Sequence, residues 1–174
     1  MISPCLNAKY KYFAMCLVTK NENESLGKWI EYHKRMGCSQ FYIFDHNSTI
    51  PLLNDIEEYV ASGLVEYFYF TDFVNSHIPV ELIDFMYDRC FNPFGNNYNS
   101  HKFIGFLDID EFIVVKNNSL KIPDILSDYE EYSNVALNLM SSVLGNDNKY
   151  YRTDLVKHIV NPSHITHMDG SSHY

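Results

Sequence analysis

The stretch Phe106-Leu107-Asp108-Ile109-Asp110-Glu111-Phe112 sets two carboxylates at i and i+2 inside an apolar run from Phe103 to Val115. On an extended backbone, residues two apart share a face. The spacing predicts Asp108 and Asp110 side by side, with Cα atoms roughly 6–7 Å apart. Ile109 and Glu111 are then expected to point the other way. Two hard oxygen donors so placed can share one Mg²⁺ or Mn²⁺ and leave coordination positions for a phosphate. Carboxylates at the end of a buried strand are costly unless a cation or hydrogen bonds compensate them. The competing reading is a solvated acidic pair that ends a strand at the surface.

The elements that must hold this pair can be read from periodicity. Short apolar runs at 12–18, 41–44, 64–70, 103–107 and 135–140 predict strands, and 112–115 is expected to resume extended structure. Leu26, Trp29, Ile30, His33 and Met36 recur at helical spacing, and Gly37 supplies a stop. Further helices are expected over 52–61, 79–90 and 120–132, the last with Pro123 near its start. From Ser141 onward the chain reads as irregular, with a short extended piece at 158–160. Alternation of strands and helices favours an α/β fold with an open, mainly parallel sheet flanked by helices. Ligands of such sheets bind beyond the carboxyl ends of the strands. Three polar clusters fall there, at 19–24, 45–49 and 108–111, so one shared site is expected.

Composition narrows the function. The 174 residues are 46% hydrophobic and 16% aromatic, enough for one domain with a substantial core. A formal charge of −9, from 13 basic and 22 acidic residues, opposes nucleic-acid binding and a polybasic membrane contact. Cys5, Cys16, Cys38 and Cys90 form no CxxC pair and read as buried or free thiols. No run approaches the ~20 apolar residues of a membrane span, and no signal peptide is evident. A cytoplasmic location is the default expectation. There is no GxGxxG and no Walker loop, so dinucleotide and P-loop chemistry are unsupported.

Six elements in order resemble the family 92-type glycosyltransferases, relatives of the large family 2 class with the GT-A fold. They are Val18-Thr19-Lys20-Asn21-Glu22; Trp29-Ile30-Glu31-Tyr32-His33; Phe41-Tyr42-Ile43-Phe44-Asp45-His46-Asn47-Ser48; Tyr87 with Cys90; Phe106 to Phe112; and Lys157-His158-Ile159-Val160-Asn161-Pro162. The resemblance covers nearly the whole chain and implies a single GT-A-like domain over 1–174, either minimal or C-terminally truncated. Two positions depart from the pattern. Ile83 stands where the family usually has Gln, and Ser141-Ser142-Val143-Leu144-Gly145 replaces its Gly-Ser stretch.

What the resemblance implies is a metal-dependent, inverting transfer of a sugar from a nucleotide donor, a UDP-sugar favoured, to a hydroxyl of a carbohydrate or glycoconjugate. Asp110 would ligate Mn²⁺ or Mg²⁺ directly, with Asp108 on the metal, its water or the ribose. His173 would complete the metal shell, with His167 the runner-up. Thr19, Asn21, Glu22, Asp45 and Asn47 would line the nucleotide pocket, and Lys157 would reach a donor phosphate or remain a surface charge. Asp147 is the candidate general base; Glu111 reads instead as a structural carboxylate behind the site. Trp29, Tyr32 and Phe85 read as core. Two alternatives stand beside this reading: an inactive relative that binds a nucleotide sugar or glycan, and a DxD phosphohydrolase. The phosphohydrolase is disfavoured because Asp110 is followed by Glu111-Phe112 and the motif lies far from the N-terminus. The sequence leaves the oligomeric state open.

Overall fold

In a computed structural model, residues 11–71, 101–142 and 150–162 are described, of which 139–142 and 150–156 are described as backbone only. In chain order the elements are β1 (Lys11–Thr19), α1 (Asn23–Arg35), β2 (Gln40–His46), α2 (Leu53–Ala61), β3 (Val65–Phe70), β4 (His101–Phe106), α3 (Ile122–Leu126) running into a 3₁₀ turn (Ser127–Tyr129), β5 (Asn134–Ser142) and β6 (Tyr150–Val160). The six strands form one sheet in the order β3-β2-β1-β4-β6-β5. The four strands β3, β2, β1 and β4 are mutually parallel, whereas β6 runs antiparallel to both β4 and β5. The open, mainly parallel α/β sheet flanked by helices expected from the sequence is therefore present.

Strand β1 shows why the sheet is central. Phe13, Met15 and Leu17 face a large apolar cluster with Leu26, Trp29 and Ile30 of α1, Ile56 of α2 and Leu126 of α3. Ala14 and Cys16 face a second cluster with Tyr42, Phe44 and Ile104. A strand buried on both faces reads as a continuous apolar run, as 12–18 does. Helix α1 presents Leu26, Trp29, Ile30 and His33 to the core, the residues its periodicity singled out. It ends at Gly37, whose φ of +99° suits glycine. A Cβ there would lie 2.7 Å from Cδ of Pro123, because the end of α1 abuts the start of α3. The amide of Ile122 donates to the carbonyl of Met36 across that junction.

Two sequence expectations are corrected. The segment expected to be irregular contains β6, eleven residues inserted between β4 and β5. Its sequence mixes Tyr, Thr, Val and Ile with Arg, Asp, Lys and His, so no apolar run announces it. Residues 112–115 alternate between exposed Phe112 and Val114 and buried Ile113 and Val115, yet join no ladder. The helix expected over 79–90, with Ile83, Phe85, Tyr87 and Cys90, lies outside the described residues. Cys16 and Cys38 are free and buried, and burial pushes the Cys38 thiol far up. No helix among the described residues is long and apolar enough to cross a membrane.

Candidate active site

Because β1, β2 and β4 are parallel, the loops that follow them leave the same edge of the sheet. Thr19 sits opposite Asp45 in the register of β1 and β2, and Phe106 sits opposite Cys16. The three polar clusters seen in the sequence therefore share one edge, in two built groups.

The first group joins the ends of β1 and β2. Asn21 and Asn47 both adopt left-handed backbone, with φ of 58° and 57°, a conformation Asn tolerates better than most residues. The Asn21 amide donates to Ser48 Oγ at 2.7 Å, and Asn21 Oδ1 accepts from the Thr49 amide at 2.8 Å. Asp45 is fully buried. Its Oδ1 accepts from the Ser48 amide at 3.0 Å, and its Oδ2 from the Leu52 amide at 3.1 Å and the Tyr67 hydroxyl at 2.6 Å. Burial first, and the adjoining Asp45 second, push the Tyr67 phenol up, so it stays a donor. Both Asp45 oxygens accept hydrogen bonds that fold the loop and start α2, which makes Asp45 an organiser of this strand-end loop. Thr19 is buried, and its Oγ1 has no hydrogen-bond partner among the described residues. Glu22 is half-buried at the N-cap of α1.

The second group is the acidic motif. Strand β4 stops at Phe106, and 108–111 is a turn closed by the Glu111 amide donating to the Asp108 carbonyl at 3.0 Å. This corrects the expectation of an extended backbone: Asp at the head of such a segment favours a turn. It also corrects the direction of Glu111, which does not point away. Its Oε2 accepts from the Asp108 amide at 2.8 Å and lies 3.1 Å from Lys157 Nζ. The reading of Glu111 as a structural hydrogen-bonding carboxylate fits this geometry. Lys157 also donates to Asp108 Oδ2 at 2.9 Å. The antiparallel register of β4 and β6, continued by two residues from Gly105 opposite Ile159, sets Lys157 opposite Leu107 and explains the meeting. Partial burial lowers the Lys157 ammonium's affinity for its proton, but the hydrogen bonds it donates to Asp108 and Glu111 outweigh it and the net shift is upward. Asp108 and Asp110 remain exposed.

Helix α1 holds this turn from behind, a role the sequence reading missed by assigning Trp29 and Tyr32 to the core alone. Trp29 Nε1 donates to the Glu111 carbonyl at 3.0 Å, and the Tyr32 hydroxyl donates to the Ile113 carbonyl at 3.0 Å. His33 Nε2 accepts from the Ile113 amide at 3.3 Å, while Nδ1 faces the Trp29 carbonyl at 3.0 Å. That pattern requires the neutral Nδ1–H tautomer. Burial accordingly lowers the His33 pKa from 6.5 to about 4, with the Trp29 hydrogen bond opposing. Phe112 stacks on His33 at 5.6 Å. The available signal was three polar-capable aromatic side chains at i, i+3 and i+4 of one helix, aimed at one segment.

Two exposed carboxylates suit a hard divalent cation that keeps positions for phosphate. Among the described residues no three His, Cys, Asp or Glu side chains converge as a metal cage. His173, His167 and Asp147 lie outside the described residues, and Asn47 lies half-buried in the β2 loop.

A family model described as glycosyltransferase family 92 matches residues 11–172. A glycosyltransferase family 92 protein of Oryza sativa subsp. japonica is 27% identical over 121 residues, which are 68% of this chain and 19% of that protein. The chain thus spans less than a fifth of that relative's length. Among solved structures, TarS of S. aureus is 19% identical over 78% of this chain and 22% of its own, with a TM-score of 0.47. Its 1–349 fragment in complex with UDP is 18% identical over 78% of this chain and 37% of its own, with a TM-score of 0.43.

Proposed function

The chain belongs to glycosyltransferase family 92, and from that premise we propose that it transfers a sugar from a nucleoside diphosphate donor, UDP-linked in the first instance, to an acceptor hydroxyl of a carbohydrate or glycoconjugate. The observation that carries this reading is the acidic turn. Asp108 and Asp110 are exposed at the strand-end edge of a parallel sheet, beside one lysine and on the same edge as a buried, unsatisfied Thr19 hydroxyl.

Asp110 and Asp108 would hold Mn²⁺ or Mg²⁺ in this proposal, leaving coordination positions for phosphate. When bound, that cation supplies Lewis-acid stabilisation of the diphosphate as the sugar leaves. Thr19 Oγ1 offers the nucleoside a hydrogen bond it does not spend on the described residues, and Asn21, Glu22 and Asn47 line the wall that Asp45 organises. Glu111 fixes the turn through the Asp108 amide. Inversion at the transferred carbon would need one general base, and Asp147 is assigned that role, with His173 as the further metal ligand and the domain taken as a single unit.

The test is calorimetric titration of UDP with and without Mn²⁺. UDP is expected to bind only with the metal, and Asp110→Ala to abolish that binding while leaving the unfolding midpoint unchanged. Unchanged metal-dependent binding in D110A would remove Asp110 from the site. Binding without turnover of any UDP-sugar would assign the chain to the inactive, nucleotide-sugar-binding alternative.

A further inference from the structure

The acidic turn carries its own counter-cation. Asp108, Asp110 and Glu111 place three carboxylates in four residues, and Lys157 is the cation that meets two of them, at 2.9 Å from Asp108 and 3.1 Å from Glu111. The two contacts differ in kind. Glu111 is 12% exposed and is anchored a second time by the Asp108 amide. Asp108 is 67% exposed, a setting in which an ion pair contributes little and exchanges readily. Lys157 rises from β6, a separate element, on a flexible four-carbon stem. We propose that Lys157 is an exchangeable counter-cation: it holds Asp108 while the site is empty, releases it as a divalent cation arrives, and turns its ammonium to the donor diphosphate. This rests on the metal- and donor-binding reading above.

The charge balance favours that exchange. Among the described residues, three carboxylates against one ammonium leave two negative charges at the turn, the complement of one divalent cation. Once the cation has taken Asp108, Lys157 keeps its proton and its anchor on Glu111 but has a free N–H direction. The incoming diphosphate supplies the next anionic oxygen, and a lysine is suited to it as a point charge. Lys157 is thus a positioning residue before donor binding and a donor-binding residue after it.

The experiment measures Mn²⁺ affinity alone by electron paramagnetic resonance, then UDP affinity at saturating Mn²⁺ by calorimetry, for the unmodified chain, Lys157→Met and Lys157→Arg. Without nucleotide, K157M is expected to bind Mn²⁺ several-fold tighter, because the competitor is gone. With Mn²⁺ saturating, K157M is expected to bind UDP about tenfold more weakly, as for a lost charged phosphate contact, and K157R to stay close to the unmodified chain. Amine labelling read by mass spectrometry follows the same exchange without any substitution. Lys157 is expected to be protected in the empty chain, reactive with Mn²⁺ alone, and protected again with Mn²⁺ and UDP. Unchanged or weaker Mn²⁺ affinity in K157M, unchanged UDP affinity, or constant labelling overturns the proposal. If the unmodified chain binds neither Mn²⁺ nor UDP, the donor-binding reading falls and this one with it. If it binds both and Lys157 is silent, this one alone falls.

Discussion

Asp45 and Asp108 lie at the same edge of one sheet, at the ends of strands separated only by β1, yet they are opposites. Asp45 is wholly buried and receives three hydrogen bonds from Ser48, Leu52 and Tyr67. Asp108 is largely exposed, and among the described residues the side chain that reaches its carboxylate is Lys157. A buried carboxylate whose donors are backbone amides and a fixed phenol is committed largely to loop shape. An exposed carboxylate paired with an ammonium on a long stem keeps lone pairs that a cation could use. The same residue type is architecture on one strand and, in the proposed function, chemistry two strands away.

The largest expected effect breaks the architectural side. Asp45→Ala orphans two buried amides and a phenol, each costing about 1–3 kcal/mol, for a total of at least roughly 3 kcal/mol. Urea unfolding followed by circular dichroism reads that loss, and UDP binding is expected to vanish with the loop. D45N, which keeps the shape and one acceptor oxygen, is expected to fall between. A D45A chain as stable as the parent would mean that the loop does not depend on this carboxylate.

A second, smaller effect tests the support behind the chemical side. Replacing His33 by Phe leaves the Ile113 amide without its acceptor, at about 1–3 kcal/mol. The pH dependence is the sharper signature. The His33 pKa is lowered in the folded chain from 6.5 to about 4, so the unfolded chain takes up its proton first as pH falls. Stability from the neutral ring is full above about pH 6.5 and is lost between about 6.5 and 4, by up to roughly 3 kcal/mol, then stays level. Unfolding free energies measured across that range are expected to fall more steeply in the unmodified chain than in H33F. Equal slopes would remove His33 as the titrating group. His101 is lowered in the same direction, so the difference between the two chains is the quantity that isolates His33.

These two sites differ in how far the sequence disclosed them. The parallel sheet was legible because 12–18 and 41–44 are apolar runs buried on both faces, and the helices because Leu26, Trp29, Ile30 and His33 repeat at helical spacing. The position of Asp108 and Asp110 at a strand end was legible for the same reason. Their backbone was not: an i, i+2 pattern fits a strand, and nothing in it discloses that Glu111 folds back onto the Asp108 amide and meets Lys157, some fifty residues later. Strand β6 was legible only at its end, 158–160, because its partners β4 and β5, rather than its own residues, supply the order. The roles of Asp45 and Tyr32 were hidden likewise, since a turn-forming Asp and a helical Tyr do not announce their hydrogen-bond partners.

The smallest expected effect is the one the comparison depends on most. Asp110 is exposed, and among the described residues no hydrogen bond or ion pair is found on its carboxylate. Asp110→Asn removes a charge from a turn that already holds three carboxylates against one lysine, in a chain of net charge −9. Losing a like-charge repulsion and losing nothing else should leave stability within about 0.5 kcal/mol of the parent, with any change toward greater stability and fading at high salt. The same substitution is expected to remove Mn²⁺-dependent UDP binding. Stability and binding then separate at Asp110, whereas at Asp45 they fall together. A D110N chain destabilised as much as D45A would mean that the acidic turn is also architecture, and the contrast between the two strand ends would collapse. Chemical unfolding of D110N and D45A side by side, in low and high salt, decides between these outcomes.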